Sequence, residues 1–367
     1  MTLFNTHDRP KLQRHLARAL VLYGVVAGSV FGCTDTDPTG LPERFHLAEE
    51  HGFDVGRLFY ALDLAEASGT VQGLVVERHG TVVGEAYGEG TPHWTLFETW
   101  SVTATVTSLL VGQALERGDI SSLDQTLGEL LVPWDDKLDE EKAGITVRQL
   151  LTMTSGVSRP EGTPEEYFAW LEAPDQVAWI LEHPLRSQPG ELYRLDSAAA
   201  HLLAAALAQA TGKSPAALAQ DAILTPLGIG QADWMADSNG ISYGGFGLRV
   251  KTRDMVKLAR LVLDGGSYDG TRVVSPYWIE ESTRPHLHPY PDFPEWGFGY
   301  LWKSDVCSGY PCLYASGFGG QLLVAVPALD LAIAVNSAFS TDVGEAAHNA
   351  DTAWDLVLEQ VIPSVRN

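Results

Sequence analysis

Strand-like sequence lies at both ends of this chain, and helix-like sequence fills the middle. Residues 71–78 are β-rich, His79-Gly80 is a turn, and residues 81–87 form a second strand pattern. Residues 297–303, 313–317 running into 322–326, and 331–336 repeat that pattern near the C-terminus, and a helix is expected over about 343–360. Between them the spacing predicts helices over 119–133, 145–153, 164–183, 198–211 and 252–263, with an earlier one over 43–69. Ser101 opens another that runs to Arg117, with Val102, Val106, Leu109, Leu110 and Ala114 on one face. A lone hairpin is marginal in water. The N-terminal strands must therefore join the C-terminal ones in one antiparallel sheet. The expected fold is α+β, with a helical region at about 119–240 and a cleft where helices meet sheet.

Charge excludes some functions. The 367 residues carry 24 Lys+Arg against 47 Asp+Glu, a formal net charge of −23. Nucleic acid and anionic membranes need a clustered basic face, so nucleic acid is not an expected partner. Charged residues make up only 19% of the chain and apolar ones 45%, which is a globular composition and not a disordered acidic one. No His-Glu-x-x-His or zinc-type Cys/His spacing occurs, and no glycine-rich phosphate loop precedes a helix. Neither a metal nor a cofactor is expected.

The first 32 residues differ from the rest. Arg9, Lys11, Arg14 and Arg18 precede an apolar run from Ala19 to Phe31, the layout of a secretory signal and too short for a comfortable membrane span. Val30-Phe31-Gly32-Cys33 resembles a bacterial lipobox, in which the Cys33 thiol receives a lipid. Phe31 is atypical there, so plain signal cleavage stays open. Residues 33–45 read as a tether and 46–362 as the folded domain. Without residues 1–32 the chain keeps 20 basic and 46 acidic residues. Cys307 and Cys312 flank Ser-Gly-Tyr-Pro and read as a disulfide near a hairpin tip, with two free thiols as the alternative. A disulfide suits an oxidising compartment. The expected location is the bacterial cell envelope, lipid-anchored, with the domain in the periplasm or at the surface. The anchor would be the one membrane contact.

Several phrases occur in a fixed order: Trp100-Ser101-Val102-Thr103, Ile145-Thr146-Val147-Arg148-Gln149-Leu150-Leu151-Thr152-Met153-Thr154-Ser155-Gly156, Pro189-Gly190, Thr211-Gly212-Lys213, Pro226-Leu227-Gly228, Thr252-Arg253-Asp254 and Ser316-Gly317-Phe318-Gly319-Gly320-Gln321. Together they resemble the serine β-lactamase-related hydrolases. That family includes class C β-lactamases, penicillin-binding proteins, D-alanyl-D-alanine carboxypeptidases, esterases and 6-aminohexanoate-dimer hydrolases. The resemblance spans about residues 55–360. It implies a serine nucleophile at a helix N-terminus, a lysine three residues on, a tyrosine from the helical region, and two backbone N–H donors for the oxyanion. On this sequence Ser101 takes the nucleophile position, and Ser101 with Phe318 supplies the backbone donors. Ser197, Ser316 and Gly317 fall at ligand-binding positions.

Both proton-transfer positions depart from the pattern. Where Ser-Val-Thr-Lys is common, this chain reads Ser101-Val102-Thr103-Ala104. Where Tyr-Ser-Asn follows Pro-Gly, it reads Leu195-Asp196-Ser197, and Ala315-Ser316-Gly317 stands for a Lys- or His-led triplet. A serine hydroxyl is a weak nucleophile without an adjacent base. Tyr193, Asp196 and Arg194 are substitutes to weigh against packing, solvation or mutual ion pairing. His201 and His286 are weighed against satisfied structural histidines, and Ser101 against a plain helix cap. The leading reading is an impaired hydrolase-fold protein that binds a peptide, amide or ester at Ser101. The alternatives are an active esterase or amidase with a substitute base, and a non-catalytic envelope-binding lipoprotein.

Overall fold

A computed structural model describes residues 43–158 and 163–366. The candidate signal segment and Cys33 lie outside the described residues. Seven strands form one antiparallel sheet: β1 (Val71–Arg78), β2 (Thr81–Tyr87), β3 (Gly297–Phe298), β4 (Lys303–Cys307), β5 (Tyr310–Gly317), β6 (Gln321–Val326) and β7 (Leu331–Ser337). Their order is β2-β1-β7-β6-β5-β4-β3. The two ends of the chain meet at β1 and β7, where Val75 stands opposite Ala334. The two tight hairpins of this sheet use two residues at positive φ, His79-Gly80 (53° and 76°) and Ser308-Gly309 (51° and 90°). That backbone matches the strand twist. The second turn is closed by the Cys307–Cys312 disulfide, with Cα atoms 5.7 Å apart.

β6 is buried at every position, because both faces of the sheet are covered. Leu322, Val324 and Val326 pack with residues of α2 (Val55–Ala67), while α6 (Val343–Asp355) adds Ala353 and Trp354 to the same core. Leu323 and Ala325 face the opposite core. That core is shared with α3 (Thr103–Arg117), α4 (Ser197–Thr211) and α5 (Thr252–Leu263). A shorter helix, α1 (Glu43–Glu50), begins inside the stretch expected to be a tether.

Three other expectations change. The helix over 164–183 is two, Pro164–Leu171 and Gln176–Glu182. Pro174 separates them and the Asp175 side chain caps the second, accepting from Ala178 N at 2.8 Å. The helix over 119–133 shrinks to Leu127–Leu130 and a 3₁₀ stretch, Val132–Lys137, with Pro133 at its start. The strand over 297–303 is interrupted. β3 ends at Phe298, Leu301 turns at φ 65°, and β4 starts at Lys303.

Candidate active site

Ser101 lies in a 3₁₀ turn, Trp100–Val102, that leads into α3. Trp100 sits at φ 49°, a backbone region costly for a non-glycine residue. Surrounding hydrogen bonds hold the turn. Thr99 donates from its amide to Leu248 O (2.9 Å), and Thr99 Oγ1 pairs with Thr103 Oγ1 (3.0 Å). The Glu98 carboxylate accepts from Trp100 N (3.2 Å) and Gly247 N (2.6 Å). Burial raises the Glu98 pKa above its ordinary value, against the pull of those two amides.

Above this turn is a cleft with about 560 Å³ of empty space. Ser101, Ala104, Leu195, Ser197 and Ser316 line it together. Residues far apart in sequence thus meet in one site. Gly317 is not among the lining residues. A Cβ there would lie 2.6 Å from Thr99 O, so its lack of a side chain lets β5 approach the Ser101 turn. Phe318 is not among the lining residues either; its ring centroid lies 5.3 Å from that of Trp100.

Neither position where the resemblance leads one to expect a proton-transfer group carries a titratable side chain: Ala104 is buried and Leu195 half-buried, and both line the cleft with Ser101. Among the described residues no side chain hydrogen-bonds the Ser101 hydroxyl. The weighed substitutes are spread out. Tyr193 packs among Tyr290, Trp296 and Phe298, with centroids 4.9–6.0 Å away. Asp196 lines the cleft, but its Oδ1 caps α4, accepting from Ala199 N at 2.6 Å. Arg194 is exposed. His201 is fully buried in α4, with Nε2 3.0 Å from Asp237 Oδ2. His286 stacks on Tyr300 at 3.9 Å, and burial lowers its pKa.

One polar cleft residue lies in none of the quoted phrases. Lys303, the first residue of β4, is buried and lines the same space. Its Nζ donates to Ser316 Oγ at 2.7 Å and lies 5.8 Å from the Tyr314 ring centroid. The register explains the placement. Lys303 stands opposite Tyr314, and Ser316 is two residues further along the same face of β5. Among the described residues no cluster of three or more metal-ligating side chains occurs.

The helical wall of the cleft depends on a close backbone contact. A Cβ on Gly244 would lie 1.9 Å from Ala200 O in α4, and Thr107 Oγ1 donates to Gly244 O at 2.7 Å. Neither backbone can yield locally. Gly244→Ala is expected to lower stability by about 1–3 kcal/mol or more, read as a lower urea midpoint. An unchanged midpoint would contradict this packing.

Comparison with known proteins follows the same lines. The sequence pattern of the family described as Beta-lactamase matches residues 66–358. No curated protein sequence matches the chain. Among solved structures, a proposed 6-aminohexanoate-dimer hydrolase from Bacillus anthracis is similar at TM-score 0.66 and 20% identity, covering 80% of each chain. A hydrolase with promiscuous acyltransferase activity reaches 0.67 at 19% identity, covering 86% of this chain and 99% of its own. A D-stereospecific amidohydrolase from Streptomyces sp. reaches 0.61 at 20%, covering 80% and 98%. At these identities the likeness shows the fold, while the sequence pattern over most of the chain shows the family. The chain belongs to the β-lactamase family and has its serine hydrolase fold.

Proposed function

We propose that this is an exported β-lactamase-family protein whose acyl transfer at Ser101 is impaired and whose cleft binds a peptide, amide or ester. One observation carries the reading: Ala104 and Leu195 flank Ser101 in the cleft and can move no proton. The cleft brings polar side chains of Ser101, Ser197 and Ser316 together with apolar Leu195, Phe298 and Leu301, a mixed lining that suits a small ligand. The Cys307–Cys312 bond supports export, since such bonds persist in oxidising compartments. Lipidation at Cys33 completes the proposal and predicts that a clickable fatty acid labels the full chain but not Cys33→Ser; an unlabelled full chain would remove the anchor.

The test of impairment compares wild type with Ser101→Ala on p-nitrophenyl butyrate, nitrocefin and 6-aminohexanoate dimer. Rates equal within about twofold are expected, because a hydroxyl without a base adds little. A loss of tenfold or more in Ser101→Ala would show that Ser101 still works and would overturn the proposal.

A further inference from the structure

We propose that the reactive nucleophile of the cleft is Ser316, with Lys303 as its base, acting on acyl esters that carry a good leaving group. The Lys303–Ser316 hydrogen bond joins an amine to a hydroxyl nucleophile in the cleft, and at 2.7 Å it is within proton-transfer reach. Activated hydroxyls are recognised by that geometry: a nucleophile within hydrogen-bond reach of a base that is itself oriented. Both groups are built on sheet rather than on loops. Lys303 is paired on both sides, opposite Phe298 of β3 and Tyr314 of β5. Ser316 pairs with Leu322 of β6. The Tyr314 ring lies near the amine, and its own hydroxyl accepts from Trp296 Nε1 at 2.8 Å. Phe298, Leu301 and Ala315 add apolar walls on that side of the cleft.

The chemistry balances without a co-reactant other than water. The Ser316 hydroxyl proton passes to Lys303 Nζ as Oγ bonds to the acyl carbon. The ester C–O bond breaks, and the leaving oxygen takes that proton from the Lys303 ammonium. Water then attacks the acyl-serine and gives a proton to Lys303, the bond to Oγ breaks, and Oγ recovers the proton. The products are an acid and an alcohol.

This inference goes beyond the impaired-Ser101 reading and can fail separately from it, because Ser101→Ala probes one serine and Ser316→Ala the other. The full chain is treated with a fluorophosphonate, the adduct is located by mass spectrometry, and p-nitrophenyl butyrate turnover is followed in parallel. An adduct on Ser316 is expected in wild type and in Ser101→Ala. Ser316→Ala should lose it, together with at least 90% of the turnover. Lys303→Arg places a guanidinium that cannot act as a base, so it should slow labelling at least 100-fold while thermal unfolding shows an intact fold. An adduct on Ser101, no adduct at Ser316, or unchanged labelling in Lys303→Arg would overturn the inference. Ser316→Ala deletes a single hydroxyl and decides the question even where the lysine variant unfolds.

Discussion

Installing Ala104→Lys together with Leu195→Tyr is expected to raise p-nitrophenyl butyrate hydrolysis about 10²–10⁴-fold over wild type, the usual worth of a positioned general base. Ala104 lies three residues after Ser101 on the helical path, so a lysine there shares its face. Leu195 lines the same cleft from the segment before α4. Each single change should give much less than the pair, because groups that pass one proton act as a unit. The gain should vanish when Ser101→Ala is added. That third variant separates recovered chemistry at Ser101 from any activity at Ser316. A double variant that folds but gains nothing would mean that positions 104 and 195 do not face the Ser101 hydroxyl productively.

What the sequence reveals about this site follows from how each residue is placed. Ser101, Ala104 and Leu195 sit at fixed distances from a helix start and a Pro-Gly turn, so the family resemblance carries over to them residue by residue, and all three line the cleft. Ser316 is carried by the glycine-rich phrase that follows it. Lys303 has no such neighbour. Its position depends on the register across the Ser308-Gly309 turn and on where β4 begins. Alternating apolar residues over 297–303 read as one strand, yet the chain breaks at Leu301 with φ 65°. Alternation cannot show that break, since it records which side chains are apolar and not where the backbone leaves the sheet. Met153, a second cleft residue at positive φ (57°), lies inside a quoted phrase, but nothing in that phrase shows its backbone conformation. The pattern of strands at both ends was easier to read, because an isolated hairpin is marginal and the strands at the two ends gain most by joining one sheet.

Removing Arg260 should have the largest effect on stability, and that effect should depend on pH. Arg260 is buried in α5, where it reaches Glu77 on β1 (3.5 Å), Asp264 (3.2 Å) and Asp330. Three carboxylates thus share one guanidinium, and Glu77 is the buried one. Desolvation, opposed by Arg260 and reinforced by Asp264 and Asp330, raises the Glu77 pKa to about 7. A carboxyl whose folded pKa exceeds its unfolded value of 4.5 adds stability that is complete below pH 4.5 and lost as pH rises through about 7. The shift corresponds to about 3 kcal/mol. Glu77→Gln should therefore flatten the decline in stability between pH 5 and 8. Arg260→Leu leaves Glu77 without its counter-charge, which typically costs about 3–5 kcal/mol where the carboxylate is ionised. At pH 5 Glu77 is already protonated, so the loss should be smaller there. Urea titrations of wild type, Arg260→Leu and the double variant Arg260→Leu/Glu77→Gln at pH 5 and pH 8 measure both effects. The double variant should recover most of the pH 8 loss, because a neutral amide needs no guanidinium. Equal losses for Arg260→Leu at both pH values would mean that Arg260 stabilises the sheet through packing and not through the charge of Glu77.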